Sequence, residues 1–471
     1  MKRRFYYWFL LLAVCLFVQC QQAPETKTAK YVFYFIGDGM GVNHVNGTEM
    51  FLAEQEGRIG VKPLNFTQFP VENLMTTYSR YNAITCSSAA GTAMACGEKT
   101  RNGILGMDSL HQEPLYSVAV KAKAAGRRVG IMTTVSIDHA TPGAFYAHQP
   151  DREMYYEIAT DMAKTGFDLY AGAGFLEPES TRQPGAPSIY DVLQDSGYVL
   201  LRHPQDLAGK SAGTDRVVWL QAEGEVPDAL PYQIDRTGGS MTLAQMTANA
   251  IDFLGKDGKG FFLMAEGGKI DWAAHNNDAA TVFQEVMDFS AAVQEAIDFY
   301  HQHPDETLII VTADHETGGL SLGNGETEIH LKLLENQKAS MEVMTAEVLK
   351  LRKEKGNRAP WADVQALLKK YMGFWDTVVL TPEQEKELRA VYARTFDGSE
   401  VELEQSLYSA NEPIIAKAVE ILDDLAMVSW ASGEHSASLV PVYVLGAGSE
   451  YFTGKLDNTD LPALISKAAG Y

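Results

Sequence analysis

The sequence predicts an α/β protein, with a mostly parallel central sheet, helices on both faces, and a helical insertion mounted on it. Three observations carry this. Apolar runs flanked by glycines recur between helical patterns, as buried parallel strands do. Four of those runs stop abruptly on an acidic or imidazole side chain. Between about residues 324 and 429 the texture changes to charged, helix-forming sequence. At 471 residues, 46% of them hydrophobic, the chain can hold one large or two ordinary domains around a real core.

The first twenty residues read as an export leader. Lys2, Arg3 and Arg4 give the positive region, Phe5 to Val18 the apolar stretch, and polar sequence follows from Gln21. The apolar part is short for a permanent membrane span. Cys20, ahead of Gln21-Gln22-Ala23-Pro24, resembles the lipid-modified cysteine of bacterial lipoproteins, although Gln19 replaces the small residue usual before it. Cys15 is a second candidate. The expectation is an exported protein, periplasmic or held at the outer membrane through Cys20, with residues 21–30 as a linker. Residues 31–471 then form one catalytic domain carrying the insertion.

Val32–Ile36 leads to Asp38 in a Gly37-Asp38-Gly39-Met40-Gly41 turn, and Val129–Val135 leads to His139 and Thr141. Phe261–Met264 leads to Glu266, and Leu308–Val311 to Asp314 and His315. In parallel sheets the ligand crevice lies off the carboxyl ends of the strands, so these donors are expected to meet. Val282, Val286, Phe289, Val293 and Ile297 repeat at helical spacing after the Glu266 strand. Leu439 to Leu445 resumes the sheet. Within the insertion, Met341, Met344, Val348 and Leu351 share a helical face, Thr381-Pro382-Glu383-Gln384 is a helix start, and Asn411 is expected to cap a last helix.

Asp271 and His275 are four apart, so on a helix both point from one face, as two ligands of one ion would. Alone, such a pair is more often an exposed ion pair. Asp314 and His315 are adjacent and both ligate only if the strand is already turning, which Glu316-Thr317-Gly318-Gly319 favours. His435 follows Gly433-Glu434 near the last strand. Oxygen donors mixed with imidazoles suit zinc plus a harder ion such as magnesium. Thr85-Cys86-Ser87-Ser88-Ala89 puts hydroxyls at the start of a small-residue helix, whose N–H groups favour anions. A serine there, beside zinc, is a strong nucleophile. The net charge of −22 argues against nucleic acid or anionic membranes as partners, so any phosphate site must draw on local cations. Cys86 and Cys96 read as free thiols.

Together the blocks IGDGMG, DHATPGAFYAHQPDR, EGGKIDWAAH and ADHETGG make the chain, from about Tyr31 to Gly448, similar to the alkaline phosphatases. That resemblance implies zinc-dependent hydrolysis of small phosphate monoesters through a phosphoserine, with two zinc ions and one magnesium. It implies one zinc on Asp271, His275 and His435, and a second on Asp38, Asp314 and His315, completed by the nucleophile's oxygen. Magnesium would take Asp38, Thr141 and Glu266, and Arg152 matches the arginine that clamps two phosphate oxygens. The nucleophile segment departs from the family's Asp-Ser-Ala, being Cys86-Ser87-Ser88 here. Ungapped matching favours Ser87, whereas a one-residue gap chooses Ser88. Cys86 in place of aspartate removes a charge that helps to orient the arginine. His139 and Trp272 stand where some relatives carry Asp and Lys. With His139 beside it, the third site is open to zinc or cobalt as well as magnesium, and Trp272 is expected to stack at the pocket rim. His148 is a further candidate for substrate contact or ligand support. The resemblance allows a homodimer. A phosphodiesterase of the same superfamily, and a surface-displayed metal-dependent binding protein, are the alternatives.

Overall fold

The computed structural model describes residues 27–202, 207, 215–325 and 327–471. The expected leader, with Cys15 and Cys20, lies outside the described residues. The main sheet is built from β1 (Tyr31–Gly37), β2 (Val71–Thr76), β3 (Arg128–Thr133), β4 (Leu169–Gly172) and β5 (Val199–Leu201). It continues with β6 (Val217–Leu220), β7 (Phe261–Gly267), β8 (Thr307–Thr312), β9 (Val440–Gly446) and β10 (Leu456–Asp457). These make a ten-stranded sheet in the order β10-β2-β9-β8-β1-β7-β3-β4-β6-β5. Only β9 runs antiparallel to its neighbours, β8 and β2. The other pairings are parallel.

β1, β3, β7 and β8 are buried along their whole length, which is why they read as unbroken apolar runs rather than alternating ones. Side chains still alternate in direction. Phe33 and Phe35 pack on Phe299 and Phe289 of the Ala279–Gln302 helix, while Tyr34 faces the other way, onto Phe145 and the Met94 carbonyl. The sheet is therefore covered on both faces. Val42–Gln55, Leu243–Gly255 and Ala279–Gln302 pack on one side; Ser87–Cys96, Val118–Ala124, Ala140–Gly143 and Asp460–Ala469 pack on the other. β3 ends two residues before Val135, because the Thr133 hydroxyl accepts from Val135 N (3.1 Å) and turns the chain out of the strand.

Ser321–Leu322 pairs antiparallel with Val428–Ser429, so the two ends of the intervening segment meet. Between them stand the helices Met341–Lys355, Trp361–Met372, Pro382–Thr395 and Pro413–Leu425. Thr381 and Gln384 form a capping box at the third of these. The expectation for Asn411 is wrong. Pro413 fixes the last helix start one residue later, at Glu412, and the Asn411 amide is spent on Asn276 and Ser409. Glu412 is instead in a buried two-bond ion pair with Arg352, at 2.6 and 3.0 Å. No helix among the described residues is long and apolar enough to cross a membrane.

Candidate metal and phosphate site

The strands β8, β1, β7 and β3 are consecutive neighbours in the sheet, so their carboxyl ends lie side by side, about 5 Å apart. Register aligns them: Ile36 is level with Thr312 and with Glu266, and Glu266 is level with Thr133. Asp38 and Asp314 thus each stand two residues past the same line. β9 is antiparallel and begins at the edge where β8 ends. His435, five residues ahead of β9, is therefore delivered to that edge too, and pairing with Thr317 fixes it there. Gly39 has a φ of +70°, and a Cβ on it would sit 2.7 Å from Asp271 Oδ1. Only glycine lets the turn pass so close to this buried carboxylate.

Asp38, Glu266, Asp271 and Asp314 are all fully buried in one cluster. Three of them have one oxygen satisfied by the protein and one left bare. Asp314 Oδ1 accepts from Gly39 N (3.2 Å) and His315 N (2.9 Å), and Oδ2 has no partner. Glu266 Oε2 accepts from the Thr133 hydroxyl and Oε1 is bare; Asp271 Oδ1 accepts from the Thr317 hydroxyl and Oδ2 is bare. Asp38 has neither oxygen partnered. Buried carboxylate oxygens without donors are costly unless cations meet them.

The imidazoles are oriented in the complementary way. His275 Nδ1 donates to Gly433 O (2.6 Å) and His435 Nδ1 donates to Thr85 O (2.9 Å). A carbonyl only accepts, so both rings carry their proton on Nδ1 and present a bare Nε2. Those two Nε2 atoms are 3.1 Å apart, and His275 Nε2 is 3.3 Å from Asp271 Oδ2. His315 Nδ1 lies 3.3 Å from the Thr317 hydroxyl oxygen, whose proton is committed to Asp271. Its Nε2 is consequently bare as well, 3.3 Å from Ser87 Oγ, 3.3 Å from Asp314 Oδ2 and 3.4 Å from Asp38 Oδ1. Ligand atoms of Asp38, Asp314 and His315 lie within 4.8 Å of one another, as do those of Asp38, His139 and Glu266, and those of Asp271, His315 and His435. His315 thus belongs to two of these three groups. Thr141 is buried beside Glu266 with its hydroxyl unpartnered.

Ser87 opens the Ser87–Cys96 helix, is fully buried, and faces His315; Ser88 instead meets the Cys86 thiol, at 3.1 Å. Gly91 lets that helix approach the Ala140–Gly143 helix, where an added Cβ would be 3.1 Å from Ala144 Cβ. Arg152 donates to His139 Nε2 (3.3 Å) and to the Tyr408 hydroxyl (3.2 Å). Trp272 lies under Tyr408, stacked at 4.7 Å and 14°, and the two rings together line a neighbouring open cavity. His148 is not brought to the cluster: its Nδ1 donates to Gly106 O (2.8 Å), its ring packs edge-on to Tyr116, and it holds a loop. Thr133, Thr317 and Tyr408 are the residues that sequence reading passed over. Only Thr317, two positions after His315, carried a signal there.

Burial governs the electrostatics. It pushes Asp38 well above the carboxylate range, with Asp314 next in effect, and lifts Glu266 to about 8 and Asp314 to about 7. Burial also holds His315 well below its usual value, and lowers His139 to about 3 with help from the Arg152 charge. Asp271 departs from this: against its own burial, the neighbouring His275 charge holds it well below the carboxylate range, and Asp271 raises His275 in return. The three other carboxyls, pushed up by burial, and the lowered His315, His435 and His139 describe a pocket short of positive charge.

A family model described as alkaline phosphatase matches residues 29–171 and 177–471. Alkaline phosphatase 3 of Bacillus subtilis (strain 168) is 32% identical, over 94% of this chain and 89% of its own. The cold-active alkaline phosphatase of a psychrophilic Shewanella shares the fold with a TM-score of 0.77 and 28% identity, covering 93% of this chain and 99% of its own. A histidine-to-aspartate variant of the alkaline phosphatase from the Antarctic bacterium TAB5, with Mg bound in its M3 site, aligns with a TM-score of 0.66 and 26% identity, over 95% of this chain and 99% of its own. With a buried cluster of metal-type donors at the carboxyl edge of its sheet, the chain belongs to the alkaline phosphatase family, as a metal-dependent hydrolase of phosphate monoesters.

Proposed function

We propose that hydrolysis proceeds by two displacements at phosphorus, with Ser87 as the nucleophile. The observation that supports this most is the set of bare, buried oxygens on Asp38, Asp271, Asp314 and Glu266, gathered with bare imidazole nitrogens around the Ser87 hydroxyl. Donor chemistry divides them. Zinc fits the mixed sets Asp271, His275, His435 and Asp38, Asp314, His315, while magnesium fits the oxygen set Asp38, Thr141, Glu266. Asp38, with both oxygens open, is suited to bridge two ions. The TAB5 variant with Mg in its M3 site supports magnesium at the third set, and His139 keeps zinc or cobalt as its competitor there. When bound, such ions supply Lewis-acid stabilisation of charge on the attacking and departing oxygens.

The chain's own groups do the rest. Ser87 gives its hydroxyl proton to a solvent water and forms a P–O bond as the ester P–O bond breaks, and the leaving alkoxide takes a proton from water and departs as the alcohol. Water then opens the phosphoserine, which returns Ser87 and releases inorganic phosphate. N–H groups in the first turn of the Ser87–Cys96 helix face the phosphoryl oxygens, and Arg152 holds two of them through its planar fork. Ser87→Ala is expected to lower kcat by about 10³-fold or more with metal content unchanged, the scale at which nucleophile removal acts in other hydrolases. Undiminished turnover of p-nitrophenyl phosphate would transfer the role to Ser88. Export, with lipid on Cys20, belongs to the same proposal on the composition of the leader, and the mass of the mature protein tests it.

A further inference from the structure

A guanidinium that clamps phosphate must be held with its fork aimed before substrate arrives, or its ordering weakens binding. Among the described residues no carboxylate lies within hydrogen-bonding distance of Arg152. The nearest, Glu153, is 3.7 Å from Nε on a mostly exposed side chain. Cys86, the residue before Ser87, carries no carboxylate, and its sulfur is engaged by Gly103 N (3.2 Å) and Ser88 Oγ (3.1 Å). Besides His139, the group that meets the guanidinium is the Tyr408 hydroxyl, at 3.2 Å from Nη2.

Tyr408 is placed with unusual security for a residue on a loop. It sits in the turn of a small hairpin in which Glu404–Gln405 pairs with Ala410–Asn411, closed by Ser406 N donating to Ser409 O (2.8 Å). Both Ser409 Oγ (2.6 Å) and Asn411 Nδ2 (2.9 Å) donate to Asn276 Oδ1, and Asn276 directly follows His275. The residue after the hairpin, Glu412, is locked in the buried pair with Arg352. The tyrosine ring then lies flat on Trp272 and edge-on to His139 and His275, at 5.7 and 5.6 Å. The Trp272 indole is what makes a flat seat for it.

We propose that Tyr408 is a positioning residue for Arg152. Through this hairpin the helical segment beyond the sheet orients the phosphate clamp from the far side, where no carboxylate among the described residues does so. The inference rests on the reading of Arg152 as that clamp.

The test compares four metal-loaded enzymes: the natural chain, Tyr408→Phe, Arg152→Ala, and the double variant. KM and kcat for p-nitrophenyl phosphate and the inhibition constant of inorganic phosphate are measured for each. Tyr408→Phe keeps the ring stack, so zinc content and Tm should stay unchanged. Its KM and phosphate inhibition constant should rise together about ten-fold, the value of one hydrogen bond to a charged group, with kcat within about two-fold. In the Arg152→Ala background the same change should do nothing further. Tyr408 loses the role if its phenylalanine variant leaves phosphate inhibition unmoved or tightens it, or if the effect is equal in both backgrounds. Arg152→Ala without effect on phosphate inhibition sinks the clamp reading itself, whatever Tyr408→Phe does.

Discussion

Thr317 is the residue at which the two proposed zinc sets touch. Its hydroxyl takes the His315 Nδ1–H side and gives its proton to Asp271 Oδ1, so one side chain fixes the ring direction of one ligand and the open oxygen of another. Hydrogen bonds of this kind to metal ligands are worth about 10–100-fold in metal affinity. Thr317→Val keeps the size and removes both bonds. Competition with a chelator should show affinity lower by about that range at the ions bound by Asp271 and His315, with a smaller change at the Glu266 ion, whose supporting hydroxyl is Thr133. Uniform weakening of all ions would mean that Thr317 acts on the fold and not on its two ligands. The same logic separates Ser87 from Ser88. A hydroxyl 3.3 Å from a bare imidazole nitrogen is in the cluster, whereas one turned to a thiol is not.

At the scale of elements, the Arg352–Glu412 pair joins the first and last helices of the Met341–Leu425 segment, and Arg352 Nη1 adds a bond to Thr395 O (2.8 Å). Its guanidinium also lies 3.7 Å over the Phe396 ring. Both charges are buried, so removing one strands the other. Glu412→Gln should cost about 3–5 kcal/mol, read as a lowered urea midpoint, whereas replacing both partners with apolar residues of similar volume should cost far less. An equal loss in single and double variants would deny that a stranded charge is the cause. Elements also explain what the sequence could disclose. Asp38, Glu266, Asp314 and His315 were legible because unbroken apolar runs mark buried parallel strands, and such strands converge at one edge. Asp271 and His275 were legible from their helical spacing. Thr133 was not, because its partner Glu266 is set by cross-strand register rather than by spacing along the chain. Tyr408 was hidden for a related reason, since a two-residue ladder in a charged segment leaves no periodic trace. Asn411 was misread because a good capping residue was outranked by the proline two positions on.

For the whole molecule, the cluster couples folding, protonation and metal in a way that pH exposes. Without ions, burial holds Glu266 near about 8 and Asp314 near about 7, and Asp38 also stands raised. A carboxyl whose folded value is raised stabilises the fold below its unfolded value and loses that contribution as pH climbs through the folded one, because the native state then holds the extra proton. The buried neutral histidines act oppositely. His315, His435 and His139 have lowered values, so they favour the fold as pH rises, but only up to the unfolded histidine value of about 6.5. Between about 6.5 and about 8 the carboxyls therefore act without that opposition, and chelated protein should lose stability across the window. Cations bind the deprotonated ligands of the native state alone, so their stabilisation grows over the same interval. Calorimetric Tm values at constant ionic strength should fall with pH for the chelated chain and hold level or rise for the loaded one, so that the gap widens. Two parallel curves would mean that Asp38, Glu266 and Asp314 do not titrate as a group awaiting positive charge, and the case for their bare oxygens as ligands would go with them.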